Sequence, residues 1–154
     1  MSESTSIPQG IDPRGPRFGA AITNVFSIII FFLSLDASTL TIAYNLLILV
    51  AFLFAIGAIF GTQQHPFAWI FKTFVKPRLK PASELEDPRP PKFAQAVGLF
   101  VSVIGIALHL ANVSAGVAIA AAALFAASTL QAYFGFCLGC QIYIGLRRAK
   151  IIRA

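Results

Sequence analysis

The chain has two cysteines, and both fall in Phe136-Cys137-Leu138-Gly139-Cys140-Gln141. The C-x-x-C spacing sets two sulfurs about one helical turn apart, near enough to close a disulfide, and Gly139 between them eases the closure. Such a pair can pass two electrons, or a sulfur atom, by thiolate attack through a mixed disulfide. Cys137 and Cys140 are therefore the candidate catalytic residues, as attacking and resolving thiols in an order that the sequence leaves open. Two other readings stand beside this one. Small thiols pack well in membrane helices without reacting. A zinc site takes four ligands, and His65 is the one further ligand near by topology. One chain cannot complete such a site, whereas two chains would bring four cysteines. No motif names a cofactor.

The elements that must carry this pair are apolar. Hydrophobic residues make up 57% of the chain and charged residues 12%, about half the charged share of soluble domains, and the mean hydropathy is +0.79. Four segments approach the roughly 20 apolar residues that a bilayer crossing needs: Phe18–Leu35, Leu40–Phe60, Phe93–Leu110, and one from Val113 or Gly116 to about Cys140 or on to Leu146. Asp36-Ala37-Ser38-Thr39, Gly61 and Asn112-Val113-Ser114 separate them. No Asp, Glu, Lys or Arg lies at mid-span, which argues against an ion-coupled transporter. The spans also lack the polar stripe of a solute channel. The polar residues within them, Asn24, Asn45, Gln95, Ser102 and Gln131, suit hydrogen bonds between helices. His109 falls at the outer end of the third span.

Asp12-Pro13-Arg14-Gly15-Pro16-Arg17-Phe18 returns 75 residues later as Asp87-Pro88-Arg89-Pro90-Pro91-Lys92-Phe93, each time ahead of an apolar run. A motif doubled in this way predicts two equivalent hairpins, and it argues that the first apolar run is part of the fold, not a cleaved leader. Two spans per half give both halves one orientation, so the predicted repeat is parallel, with its axis along the membrane normal. The prolines preset the approach to each span, and each arginine can reach lipid phosphate or the neighbouring aspartate.

All twelve Lys and Arg residues fall before the first span, between the second and third, or after the fourth. With four spans these regions share one side of the membrane, and the positive-inside rule makes that side cytoplasmic. The net charge of +6 is thereby explained by orientation in the cytoplasmic (inner) membrane, and nucleic acid is not an expected partner. Arg14, Arg17, Trp69, Lys72, Arg89, Lys92, Arg147 and Arg148 are the expected membrane-anchoring side chains. Between the second and third spans, Phe67, Ile70, Phe71 and Phe74 follow helical spacing after Pro66, which predicts an amphipathic helix on the cytoplasmic surface. Ile142–Arg148, continuing from the fourth span, is its expected counterpart. The alanine-rich fourth span predicts close contact between the halves or between copies of the chain.

These stretches carry a resemblance. Asp12-Pro13-Arg14 with Pro16-Arg17-Phe18, then Pro90-Pro91-Lys92-Phe93-Ala94-Gln95 with Gly98, then Gly135-Phe136-Cys137-Leu138-Gly139-Cys140 resemble the bacterial domain-of-unknown-function family 4395 over about Asp12 to Leu146. The resemblance implies a small integral membrane protein associated with thioredoxin-like or rhodanese-like proteins. Some members carry a further cysteine before the first span, and this chain has none there.

The expected fold is thus an all-α integral membrane protein of four transmembrane helices in two parallel-repeat hairpins. Its expected parts are a cytoplasmic tail (1–17), a first hairpin (18–61), a cytoplasmic loop with an interfacial helix (62–92), a second hairpin (93–146) and a basic tail (147–154). The expected function is thiol redox or sulfur transfer with a cytosolic thiol protein. The alternative is a non-catalytic accessory subunit, in a homo-oligomer or a larger membrane complex.

Overall fold

The computed structural model describes residues 10–152. Ser4 and Ala154, at the two ends of the tails, and Arg153, one of the twelve basic residues, lie outside the described residues. The described chain is all-helical. Four helices are long and apolar enough to cross a membrane: α1 (Arg14–Ser34), α2 (Leu40–Phe60), α4 (Arg89–Leu110) and α5 (Gly116–Phe134). Their 19 to 22 residues correspond to roughly 28–33 Å at 1.5 Å per residue, close to the thickness of a bilayer's hydrocarbon core. Two short helices, α3 (Pro66–Ile70) and α6 (Leu138–Arg148), follow α2 and α5.

The long helices form a ring in which α1 packs against α2 and α5, and α4 packs against the same two. The α1–α5 and α2–α4 contacts are the most extensive. At the centre, Ile30, Ala43, Leu47, Val50, Val117, Ala120, Ala121 and Leu124 form one buried cluster. Small residues allow the close approach: a Cβ on Gly105 would collide with that of Ala120, and a Cβ on Gly98 would meet the Phe54 ring at 2.5 Å. Outward, large apolar side chains such as Phe32, Phe52 and Phe100 are exposed along the spans, as contact with lipid requires.

The doubled motif forms the first turn of a helix in both places, so α1 and α4 begin four residues before the expected starts. Prolines are tolerated there because the first N–H groups of a helix have no partner within it. Asp12 Oδ1 accepts from Arg14 N–H at 3.0 Å, and its Oδ2 from Arg14 Nη2 at 2.7 Å. Asp87 and Arg89 repeat this at 2.9 and 2.7 Å. Each arginine thus takes its aspartate, the second of its two expected partners. The two motifs lie side by side, because Ile11 and Glu86 exchange backbone hydrogen bonds of 2.9 Å in an isolated antiparallel bridge.

At the opposite end, Thr39 Oγ1 donates to the Leu33 carbonyl at 2.6 Å and ties α1 to α2. Tyr44 and His109 stack with centroids 4.4 Å apart, so His109 packs on α2 at the end of α4.

Two expectations are revised. The apolar stripe after Pro66 does not continue as one α-helix: Phe71–Val75 form a π turn and Lys76–Arg78 a 3₁₀ turn. The extra residue in the π turn rotates Phe74 off the face that holds Phe71. Phe71 is 4% exposed and packs on Phe18, whereas Trp69 and Phe74 stay exposed and meet each other at 6.1 Å. The fourth span ends at Phe134 and does not reach Cys140. Gly135 takes φ 68°, the left-handed region that ends helices, and α6 is a separate helix that runs across the 146/147 boundary.

Candidate functional site

Cys137 and Cys140 form a disulfide with Cα atoms 5.1 Å apart, and the break at Gly135 decides how the pair is presented. Phe136 N–H turns back to the Leu130 carbonyl at 3.0 Å, closing the end of α5. Cys137 follows in extended conformation as the N-cap of α6, and its Sγ accepts from Cys140 N–H at 3.2 Å. Capping by sulfur is unusual, since oxygen side chains are the preferred N-caps. It sets Sγ against free N–H groups and the positive end of the helix dipole, where negative charge on sulfur is stabilised. The two sulfurs are therefore inequivalent. Cys137 precedes α6, while Cys140 lies in its first turn.

Gly139 anchors this turn. It is buried, and a Cβ there would come within 2.5 Å of the Ala94 Cα, so α6 touches α4 at backbone distance. Tyr143, one turn on, is buried against Phe93 with centroids 5.6 Å apart. Arg17 reaches in from α1 to donate to the Ala132 carbonyl at 3.4 Å, meeting the negative end of α5 beside the cysteine turn.

The corresponding turn after α2 carries His65. Gly61 breaks the helix with φ 94°, Thr62–Gln64 form a 3₁₀ turn, and His65 caps α3 by accepting from Phe67 N–H at its Nδ1, 3.1 Å away. Burial pushes the His65 pKa below its ordinary value, against an opposing hydrogen bond to the Leu53 backbone. Its ring is thus a neutral structural cap. Among the described residues, no group of three or more His, Cys, Asp or Glu is placed to hold a metal ion.

Cys137, His65 and the four long helices border one cavity of about 450 Å³. Two buried polar atoms of residues lining it, Gln95 Oε1 and Thr62 Oγ1, have no hydrogen-bond partner among the described residues. Each such atom costs about 1–3 kcal/mol. Asn24 behaves as expected of a polar residue in a span: its Nδ2 donates to Thr129 Oγ1 at 2.7 Å and to Ser128 Oγ at 3.2 Å. Ser102 bonds back to the Gly98 carbonyl in its own helix, and Asn45 faces outward. The cavity has no signal in the sequence, because the meeting of Gln95 with Gly57 on α2 is set by tertiary packing.

The expected anchoring residues occupy separate places. Arg14 and Arg89 are held by their aspartates, and Arg14 also donates to the Lys80 carbonyl at 2.9 Å. Lys72 donates to the Gln63 carbonyl at 3.2 Å. Trp69 and Lys92 are exposed, and Arg147 and Arg148 end α6.

The family model for the domain of unknown function DUF4395 matches residues 11–148. The chain belongs to this family. The match takes in both Asp-Pro-Arg turns and the cysteine turn, so the family's extent is that of the helical body itself. No curated protein and no solved structure matches the chain.

Proposed function

We propose that this chain is a membrane-embedded dithiol–disulfide exchange protein, with Cys137 the attacking and Cys140 the resolving thiol. The observation that carries the reading is the position of Cys137 as the N-cap of α6 and half of the disulfide. In exchange, a partner's thiolate attacks Cys137 Sγ, the Cys137–Cys140 bond breaks, and Cys140 leaves as a thiolate that takes a proton. A second partner thiolate then attacks its own sulfur in the mixed disulfide, leaving a partner disulfide and the Cys137/Cys140 dithiol. The helix N-terminus favours charge on Cys137 whenever it leaves or attacks. A cytosolic thioredoxin-like or rhodanese-like protein is the partner that family resemblance and charge distribution favour.

The scaffold reads as a duplicated hairpin related by an axis along the membrane normal. The bridge between Ile11 and Glu86 supports this, because those residues are themselves 75 apart and pair reciprocally. So do the matching aspartate–arginine turns and the fully buried Ser27 and Ser102, also 75 apart. The basic turns, α3, α6 and the cysteines then lie at the cytoplasmic edge of the inner membrane, with Trp69 and Phe74 toward lipid. A cysteine introduced at Ser83, in a background without Cys137 and Cys140, will be labelled from the cytoplasm, and one at Ser38 from outside. Labelling of Ser83 from outside refutes this orientation.

The test of function is trapping. Cys140→Ser leaves Cys137 unable to resolve and accumulates a mixed disulfide with the partner, whereas Cys137→Ser does not. The wild-type pair will titrate with a midpoint above about −300 mV, near the cytosolic thiol poise. If both variants are silent and neither thiol of the reduced protein reacts with a membrane-permeant alkylating reagent, the chain is an accessory subunit instead.

A further inference from the structure

The cavity beside the cysteine turn has no part in exchange with a soluble thiol. It lies among all four long helices, and its volume of about 450 Å³ falls within the roughly 300–1,000 Å³ of small-molecule sites. Its deep wall is apolar, with Phe26, Val50, Val101 and Leu124. The end shared with Cys137 is polar, and its charged groups are paired or at the rim: Asp12 is paired with Arg14, His65 is a neutral cap, Lys72 is tied to the Gln63 carbonyl, and Lys76 is exposed.

The polar groups at this end are unusual in being unpaired. Gln95 is seated over Gly57, where a Cβ would fall 2.6 Å from its Oε1, and that oxygen has no partner. Gln95 directly follows Ala94, the residue on which Gly139 of the cysteine motif rests. Thr62 Oγ1, at the end of α2, is the second unpaired atom. An amide and a hydroxyl can each donate or accept. They therefore fit a guest whose oxygens accept hydrogen bonds in one state and donate them in another.

We infer that this cavity binds a lipophilic quinone, which takes electrons from the Cys137/Cys140 dithiol. The inference rests on the exchange reading above and supplies its other end. The Gln95 and Thr62 side chains, whose unpaired oxygens are buried against protein in this structure, turn toward the guest on binding. Quinone carbonyls then accept from the Thr62 hydroxyl and the Gln95 amide, and quinol hydroxyls donate back to the same groups. The apolar wall takes the ring. The step balances: both S–H bonds break, the Cys137–Cys140 bond forms, and two electrons and two protons convert the two carbonyls of one quinone to hydroxyls. A soluble dithiol protein that reduces the pair would thereby be oxidised at the expense of the membrane quinone pool.

The test uses the full chain in lipid nanodiscs, reduced and freed of reductant under anaerobic conditions, with a short-tailed benzoquinone as probe. One quinone should be reduced per disulfide formed, followed by quinone absorbance and by thiol alkylation. Gln95→Leu should slow the reaction at least tenfold, and so should Val101→Trp, which fills the apolar wall from another position. Reduction of each variant's disulfide by a soluble dithiol checks that its cysteine turn is formed. If soluble thiols exchange with the pair but the quinone is not reduced, the cavity inference is overturned and the exchange reading stands. The inference also falls if quinone reduction proceeds at the wild-type rate in both variants, because the quinone then reacts outside the cavity. If neither soluble thiols nor quinone react with the cysteines, both readings fall.

Discussion

Each half of the molecule breaks its second long helix with a left-handed glycine and then caps a short helix with a side chain, but the two caps differ in kind. After Gly61 the cap is His65, buried and neutral, with Nδ1 taken by Phe67 N–H. After Gly135 the cap is Cys137, half-buried, taken by Cys140 N–H and joined to Cys140. The same contrast appears in the spans. Asn24 on α1 donates to side chains of α5, while Gln95 on α4 leaves its oxygen unpaired over Gly57 on α2. Asn24 is thus closed into structure, whereas Gln95, like Thr62 at the end of α2, keeps an unpaired oxygen beside the cavity. On the proposed reading, duplication supplies the scaffold, and divergence at the cap makes one copy chemical.

The largest effect expected from breaking this contrast is at Gly139. Any side chain there meets the backbone of Ala94, and backbone cannot move aside as a flexible side chain can. Gly139→Leu should undock α6 and destabilise the protein by about 1–3 kcal/mol, as overpacking does. Gly145, two turns along the same helix, has open space where its Cβ would be, so Gly145→Ala should stabilise by up to about 1 kcal/mol through helix propensity. Chemical unfolding in detergent micelles separates the two. Equal effects would show that α6 is not held by its contact with α4.

That contact explains what was legible in the sequence. The four spans follow from hydropathy, because lipid demands length and apolarity whatever the detailed packing. The aspartate–arginine turns were legible as a doubled motif with two alternative arginine partners. The cysteine turn was legible as a motif but not as a cap. Phe134-Gly135-Phe136-Cys137-Leu138 is almost wholly apolar, so hydropathy gives no sign that the helix stops. The available signal was Gly135 itself, which holds the place in the second half that Gly61 holds in the first. The π turn at Phe71–Val75 left no signal, since its residues keep ordinary helical spacing. The cavity depends on where Gln95 and Gly57 meet, and that is set by tertiary packing.

A smaller effect should separate the two polar span residues. Asn24→Leu removes hydrogen bonds to Ser128 and Thr129, and interhelical bonds in membranes average about 0.6 kcal/mol, reaching about 1.7. A loss of about 1 kcal/mol is expected. Gln95→Leu removes an atom that is already unpaired, so its stability should stay within about 0.5 kcal/mol of wild type or rise. The sum of these results sharpens the contrast between structural and free polar groups. A loss at Gln95 as large as that at Asn24 would mean that Gln95 is structural after all.

The smallest effect concerns the two aspartates, where the halves are most alike. In both, the hydrogen bonds from the neighbouring arginine side chain hold the carboxyl pKa below its ordinary value, against a smaller opposing cost of burial. A carboxyl whose folded pKa is lowered adds stability above its unfolded pKa, and that stability is lost as pH falls through the folded value. The unfolding midpoint should therefore drop on acidification from about pH 4 downward, where a carboxyl begins to gain its proton, and Asp12→Asn or Asp87→Asn should flatten that drop. The two should not be equal. The Asp12 side chain is 7% exposed and that of Asp87 32%, and solvent screens the more exposed pair. Asp12→Asn should flatten the acid limb more than Asp87→Asn, and the difference should persist in high salt, where exposed pairs are screened first. An acid limb that responds equally to both substitutions at every salt concentration would show that the two turns have not diverged, and that the asymmetry of the halves is confined to the helix caps and the cavity.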